Sequence, residues 1–244
     1  MQKTFKVVIP ARYQSSRFPG KPLVKINGVP MIERTWRQCV QAVDVSQVII
    51  ATDDERIESY CRSIGAQVEM TPEDCLTGTD RVAVLLPKYS DDYFINVQGD
   101  EPLLNPTDLT NMIAALAETD CEVMNGYTAI HDETDYRSTS IPKVVVDMNG
   151  NLMYMSRQAI PASKSGIFQR AWRQVCIYAF SRNALKQFIL HPGKTLLESI
   201  EDIEIVRFLE LGIRVKMIAM SDQSIAVDNP EDVLKVEGVL NVKQ

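Results

Sequence analysis

Three cations, Arg12, Arg17 and Lys21, fall within ten residues of a chain whose formal net charge is −6. Two guanidinium forks and an ammonium at that spacing match the oxygens of a polyphosphate. Ser15, Ser16 and Gly20, in the same loop, leave backbone N–H groups open to an approaching anion. The plainer alternative is a solvated basic loop. It is not a Walker A loop, because GxxxxGK[ST] would need a glycine where Ser15 stands and Ser or Thr where Pro22 stands. No GxGxxG follows the first strand either, which argues against a dinucleotide oxidoreductase.

Two carboxylates complete a possible reaction centre. Asp100 follows a glycine at a strand end, in Gln98-Gly99-Asp100-Glu101-Pro102, where a carboxylate can reach a metal on bound phosphates. Asp228 occupies a similar place before a helix, in Val227-Asp228-Asn229-Pro230. Each has an ordinary alternative, a turn former for Asp100 and a helix N-cap for Asp228. Taken with the basic loop, the pair makes metal-assisted nucleotidyl transfer the economical explanation. His131 and His191 are the only histidines and no CxxC occurs, so a zinc centre is not expected and any metal is a hard cation on carboxylates.

These groups need a scaffold that brings strand ends together. Phe5–Ile9, Gln47–Ala51 and Tyr93–Val97 have the composition of buried strands. Between them, apolar spacing predicts a helix over 31–43, Asp54 caps another running to about Ile64, and Asn105-Pro106 opens a third to about Glu118. This β-α-β-α rhythm predicts an α/β fold with a doubly wound, mostly parallel sheet and helices on both faces. Ligands of such sheets bind beyond the carboxyl ends of the strands, where the basic loop, Thr52-Asp53-Asp54 and the Asp100 segment all fall.

After about Val123 the rhythm changes to strands at 123–130, 143–147, 152–155 and 173–180. A helix Ile200–Glu210, a strand at 213–220 and a helix from Pro230 follow. With no repeat or Gly/Ser linker, the expected organisation is one domain over 1–244. It has a nucleotide-binding part of about 1–122, a β-rich part of about 123–220, to which the family resemblance given below assigns the sugar and the dimer contact, and a closing segment 221–244.

A hydrophobic content of 45% and a charged content of 24% suit a soluble enzyme. An acidic chain without a clustered basic face is not expected to bind nucleic acid or a membrane surface. No apolar run approaches the roughly 18 residues of a spanning helix. Met1 to Pro10 does not read as a leader, and five scattered cysteines suit reduced thiols in a cytoplasmic protein.

With these residues in view, the sequence resembles the 3-deoxy-manno-octulosonate cytidylyltransferases (CMP-Kdo synthetases). IPARYQSSRFPGKPL at 9–23 and NVQGDEP at 96–102 carry the resemblance most specifically. ATDD at 51–54, TGTDR at 77–81, KVVVD at 143–147, Ser156-Arg157 with Ile160-Pro161, and VDNPED at 227–232 continue it in order. The resemblance implies a nucleotide-diphospho-sugar transferase-like (Rossmann-like) fold with a β-rich dimerisation lobe, and a homodimer. It implies that Ala11, Arg12, Ser16, Arg17 and Lys21 hold the phosphates of CTP, and that Thr77, Arg81 and Gln98 help to read the cytosine. Asp100 and Asp228 would bind Mg²⁺, with Arg12, Arg17, Lys21 and Asp100 as the catalytic group. Arg157, Gln174, Tyr178, Glu204 and Ile205 match positions lining the pocket of an acidic 2-keto sugar.

The departures lie on the sugar side. Gln174 stands where the family commonly has histidine, Ile205 where it has glutamine, and the stretch from Pro161 to Arg173 is short. Ile205 cannot hydrogen-bond through its side chain, so the expectation is an acceptor other than unmodified Kdo. The same chemistry on 8-amino-Kdo, a sialic-type acid or a phosphonate is the alternative within enzymes. A catalytically silent nucleotide-binding regulator is the alternative outside them.

Overall fold

The computed structural model describes residues 3–15 and 18–242. The first elements in chain order are β1 (Phe5–Ala11), β2 (Lys25–Ile26), β3 (Val29–Pro30), α1 (Met31–Ala42), β4 (Val48–Thr52) and α2 (Glu55–Ser63). Next come β5 (Gln67–Met70), α3 (Gly78–Ala83), β6 (Tyr93–Val97), α4 (Pro106–Glu118), β7 (Val123–Ile130), α5 (Glu133–Arg137) and β8 (Lys143–Val146). The chain closes with β9 (Leu152–Ser156), β10 (Ala171–Ser181), α6 (Arg182–Ile189), α7 (Leu196–Glu201), α8 (Val206–Glu210), β11 (Val215–Ala219) and α9 (Pro230–Val242). Two compact units result, one formed by residues up to 110 together with those from 223 onward, the other by 111–222.

In the first unit β6, β1, β4 and β5 lie side by side in that order, all parallel. Val7, Val8, Ile9, Ile49, Ile50 and Ile95 are completely buried. Continuous apolar runs of this kind, rather than alternating ones, are what strands covered on both faces require. Because β1 and β4 run together to the register Ala11↔Thr52, their carboxyl ends open at one edge. Asp54 caps α2 by accepting from Arg56 N at 2.9 Å, as its sequence position predicts. The short β5 and α3 are not evident from periodicity. α3 starts on a capping box, with Thr77 and Asp80 each accepting the other's backbone N–H.

The second unit is built differently. β7 pairs antiparallel with β10 and parallel with β11, while β8 pairs antiparallel with β10 and β9. The ladder between β7 and β10 shifts register between Val175 and Tyr178. The expected helix Ile200–Glu210 is instead two short ones, α7 and α8. Asp202 takes a left-handed φ of 52°, which ends α7. The two are joined by an ion pair sealed from water: Arg207 donates to both carboxylate oxygens of Glu198, each side chain only 1% exposed.

No helix among the described residues is long and apolar enough to cross a membrane. All five thiols are free, and burial pushes that of Cys61 up to about 12.

Candidate active site

The loop after β1 is closed by its own residues. Gly20 donates to the carbonyl of Tyr13 at 2.9 Å and takes a φ of 72°, a conformation that favours glycine. A Cβ there would also sit 3.1 Å from the Tyr13 ring. The outer face of that ring carries the guanidinium of Arg56, 3.3 Å from the ring centre. Closure at Gly20 starts a short 3₁₀ turn, Lys21–Leu23, which directs Lys21 inward. Arg12 is exposed and makes no side-chain hydrogen bond to a described residue. Ala11 ends β1 with its side chain buried, so only its backbone is available to a ligand. Ser16 and Arg17 lie outside the described residues.

The loop after β6 is tied down on several sides. A Cβ at Gly99 would meet the carbonyl oxygen of Pro10 at 2.7 Å, so the two strand ends approach closely only because position 99 is glycine. Thr35 of α1 donates to the carbonyl of Gly99 at 3.2 Å. Asp100 O accepts from Val227 N at 2.9 Å, and buried Ser224 donates to buried Glu101. Val227 itself is locked in a cluster with Ile26, Met31, Leu103 and Val236. These contacts fix where Asp228 stands.

Lys21 is the hub of the three segments. Its ammonium donates to Asp100 Oδ2 at 2.7 Å and to the carbonyl of Val227 at 2.8 Å, and lies 3.8 Å from Asp228 Oδ1. Two carboxylates thus already converge on one cationic centre. Asp228 is not the N-cap of α9; that position is Asn229, whose N–H is taken by Asp232. Among the described residues no set of three or more His, Cys, Asp or Glu is arranged to cage a metal. A hard divalent cation that keeps waters and binds phosphate oxygens needs only one or two protein carboxylates, so Asp100 and Asp228 fit such an ion.

Thr77, Arg81 and Gln98 have structural work. Arg81 is 2% exposed and donates to Asp53 at 2.7 Å and to Thr71. That guanidinium braces the ends of β4 and β5. Thr77 spends its hydroxyl on the capping box of α3. The amide of Gln98 is half-buried over the first turn of α3, where a Cβ on Gly78 would come within 2.7 Å of its Nε2.

On the second unit, Arg157 donates through Nε, Nη1 and Nη2 to the carbonyls of Glu201, Thr139 and Asp202. Its own carbonyl accepts from Lys143, a completely buried ammonium that also donates to the carbonyls of Ser138 and Ile141. Burial, and then the nearby Arg157, push the Lys143 ammonium below its usual range. Gln174 and Tyr178 are both buried and hydrogen-bonded to each other at 3.2 Å. Glu204 is half-buried, two residues before α8. Ile205 has no exposed surface at all, which corrects its assignment to the sugar pocket. An apolar side chain one position before an amphipathic turn belongs to the core of its unit.

A family model described as cytidylyltransferase matches residues 6–218. A 3-deoxy-manno-octulosonate cytidylyltransferase of Protochlamydia amoebophila is 39% identical over 238 residues, covering 94% of this chain and 92% of that one. The chain belongs to this family. A mitochondrial member from Arabidopsis thaliana is 40% identical, over 96% of this chain and 82% of its own length. The solved structure of a CMP:2-keto-3-deoxy-manno-octonic acid synthetase complexed with CTP superposes with a TM-score of 0.91 at 33% identity, over 99% of this chain and 100% of that one. An inositol-1-phosphate CTP transferase from T. maritima, 14% identical with a TM-score of 0.71 over 99% of this chain and 97% of that one, shares the fold.

Family membership accounts for the sequence motifs, but not for every polar partner. Asn125, unmarked by any motif, is completely buried and bonded to Gln174. The available signal is its type, an asparagine inside the apolar strand Val123-Met124-Asn125-Gly126-Tyr127.

Proposed function

We propose that the chain transfers CMP from CTP to a 3-deoxy-2-ulosonic acid, releasing diphosphate. The convergence of Lys21, Asp100 and Asp228, in a chain of this family, carries the reading. The first unit takes the nucleotide and the second takes the acceptor, in a cytoplasmic enzyme. The anomeric 2-hydroxyl of the acceptor attacks the α-phosphorus in line. A new P–O bond forms, the bond to the bridging oxygen of the diphosphate breaks, and the hydroxyl proton passes to solvent. Arg12, Arg17 and Lys21 neutralise the charge that grows on the phosphoryl oxygens. Asp100 and Asp228 would hold Mg²⁺, which supplies charge neutralisation and polarises a bound oxygen.

Diphosphate release from CTP and Mg²⁺, with Kdo, 8-amino-Kdo, a sialic-type acid and a phosphonate as acceptors, tests this directly. No release with any of them sinks the reading in favour of a silent nucleotide binder. Lys21→Ala and Arg17→Ala are expected to lower turnover by on the order of 10²-fold, against little change in Lys25→Ala, whose side chain is exposed. Similar modest effects in all three would place the triphosphate elsewhere.

We also propose that the second unit joins two copies. Leu190, Leu196 and Ile200, on and between α6 and α7, are 75%, 71% and 69% exposed. A run of large apolar side chains left in water marks an association surface. Sedimentation is expected to give a dimer that Ile200→Asp with Leu196→Asp converts to monomer; a monomeric wild type would refute the pairing.

A further inference from the structure

The polar trio Asn125, Gln174 and Tyr178 has hydrogen-bond directions that are forced. Asn125 Nδ2 lies 3.1 Å from the carbonyl of Val175 and 2.9 Å from that of Ile177, the carbonyls that flank the register shift of β10. Carbonyls only accept, so both hydrogens of the Asn125 amide point at the strand. Asn125 Oδ1 is therefore left as an acceptor, and its neighbour at 2.9 Å must be the donor end of Gln174, Nε2. The second hydrogen of Nε2 goes to Tyr178 Oη at 3.2 Å. Gly126 helps to hold the strands this close, since a Cβ there would meet Ile177 Cγ2 at 2.8 Å.

Both hydrogens of Gln174 are thus spent, and its amide cannot turn over without facing oxygen against oxygen. Gln174 Oε1 is the atom left over. It has no hydrogen-bond partner among the described residues, and it is not among the side-chain polar atoms sealed from water without one. A buried amide with a fixed direction and one unspent acceptor is a device for reading a donor.

We infer that Gln174 selects, on the acceptor sugar, a group that donates a hydrogen bond, a hydroxyl or an ammonium, and rejects a group there that only accepts. Asn125 is the positioning residue that sets this polarity. The inference rests on the reading of the second unit as the acceptor side.

The test is kcat/KM for a ulosonic acid and for analogues in which each hydroxyl in turn is replaced by fluorine or by an amino group. In the wild-type enzyme, fluorine at one position is expected to lower kcat/KM by on the order of 10- to 100-fold, while the amino group at that position stays within about threefold of the parent. Gln174→Met is expected to bring the fluorine penalty at that position alone below about threefold. Asn125→Ser, which frees the amide to turn, is expected to do the same with KM for CTP unchanged, a result that general loosening of the unit would not give. A flat wild-type series, or a penalty that survives Gln174→Met, overturns the inference while leaving cytidylyl transfer standing. Failure of every ulosonic acid to react overturns both. The wild-type series needs no variant, so misfolding of either substitution does not shield the inference.

Discussion

Asp100→Asn is expected to lower turnover by on the order of 10²-fold or more while the protein stays folded. The amide keeps the shape of the carboxylate, and its oxygen can still accept from Lys21, now 2.7 Å from Asp100 Oδ2. The backbone bond from Val227 N to Asp100 O is untouched. What disappears is the negative charge that a divalent cation requires. A hundredfold loss corresponds to about 2.7 kcal/mol of barrier, more than a neutral hydrogen bond supplies. Steady-state rates over a Mg²⁺ titration, with circular dichroism as the fold control, give the answer. Rates near wild type at saturating Mg²⁺ would remove Asp100 from the metal site.

Arg207→Met is expected to cost about 3–5 kcal/mol of stability, the largest structural effect of any single change considered. Its partner Glu198 would lose its cation in a site 1% exposed, with Thr195 N as one remaining donor at 3.1 Å. The arginine also lies 3.8 Å over the ring of Phe188, so packing is lost with charge. Urea denaturation measures the loss. Changing both residues, Glu198→Leu with Arg207→Met, is expected to recover most of it, because no charge is then stranded. A single-variant loss below about 1 kcal/mol would show that water reaches the pair.

The parts of the molecule legible in the sequence share a physical reason. Strands buried on both faces must be continuous apolar runs, so β1, β4 and β6 announce themselves. A basic loop in an acidic chain is conspicuous for the opposite reason. Arg81 shows what this reasoning misses: the motif marks the arginine, but not its buried ion pair with Asp53, distant in sequence. Asp202 looks like an ordinary helical residue until its backbone turns left-handed and divides the helix. Ile205 stands where the family commonly has a polar residue, and only its burial reveals which way it points. Asn125 lacks any pattern, because its importance comes from a register shift that no local spacing encodes.

The ammonium of Lys21 joins two segments that the ribosome makes far apart in time. Asp228 follows Asp100 by 128 residues, and the whole of the unit 111–222 lies between them. Closing so long a loop costs little at equilibrium, since each doubling of length adds only about 0.6 kcal/mol. Its effect is on order. At 5–20 residues per second, roughly 6–25 s separate synthesis of the two carboxylates. During that interval Lys21 has one of its acidic neighbours and lacks the carbonyl of Val227. The charge centre is completed late, with only α9 still to follow, so a chain interrupted before Val227 carries the basic loop but not the finished centre.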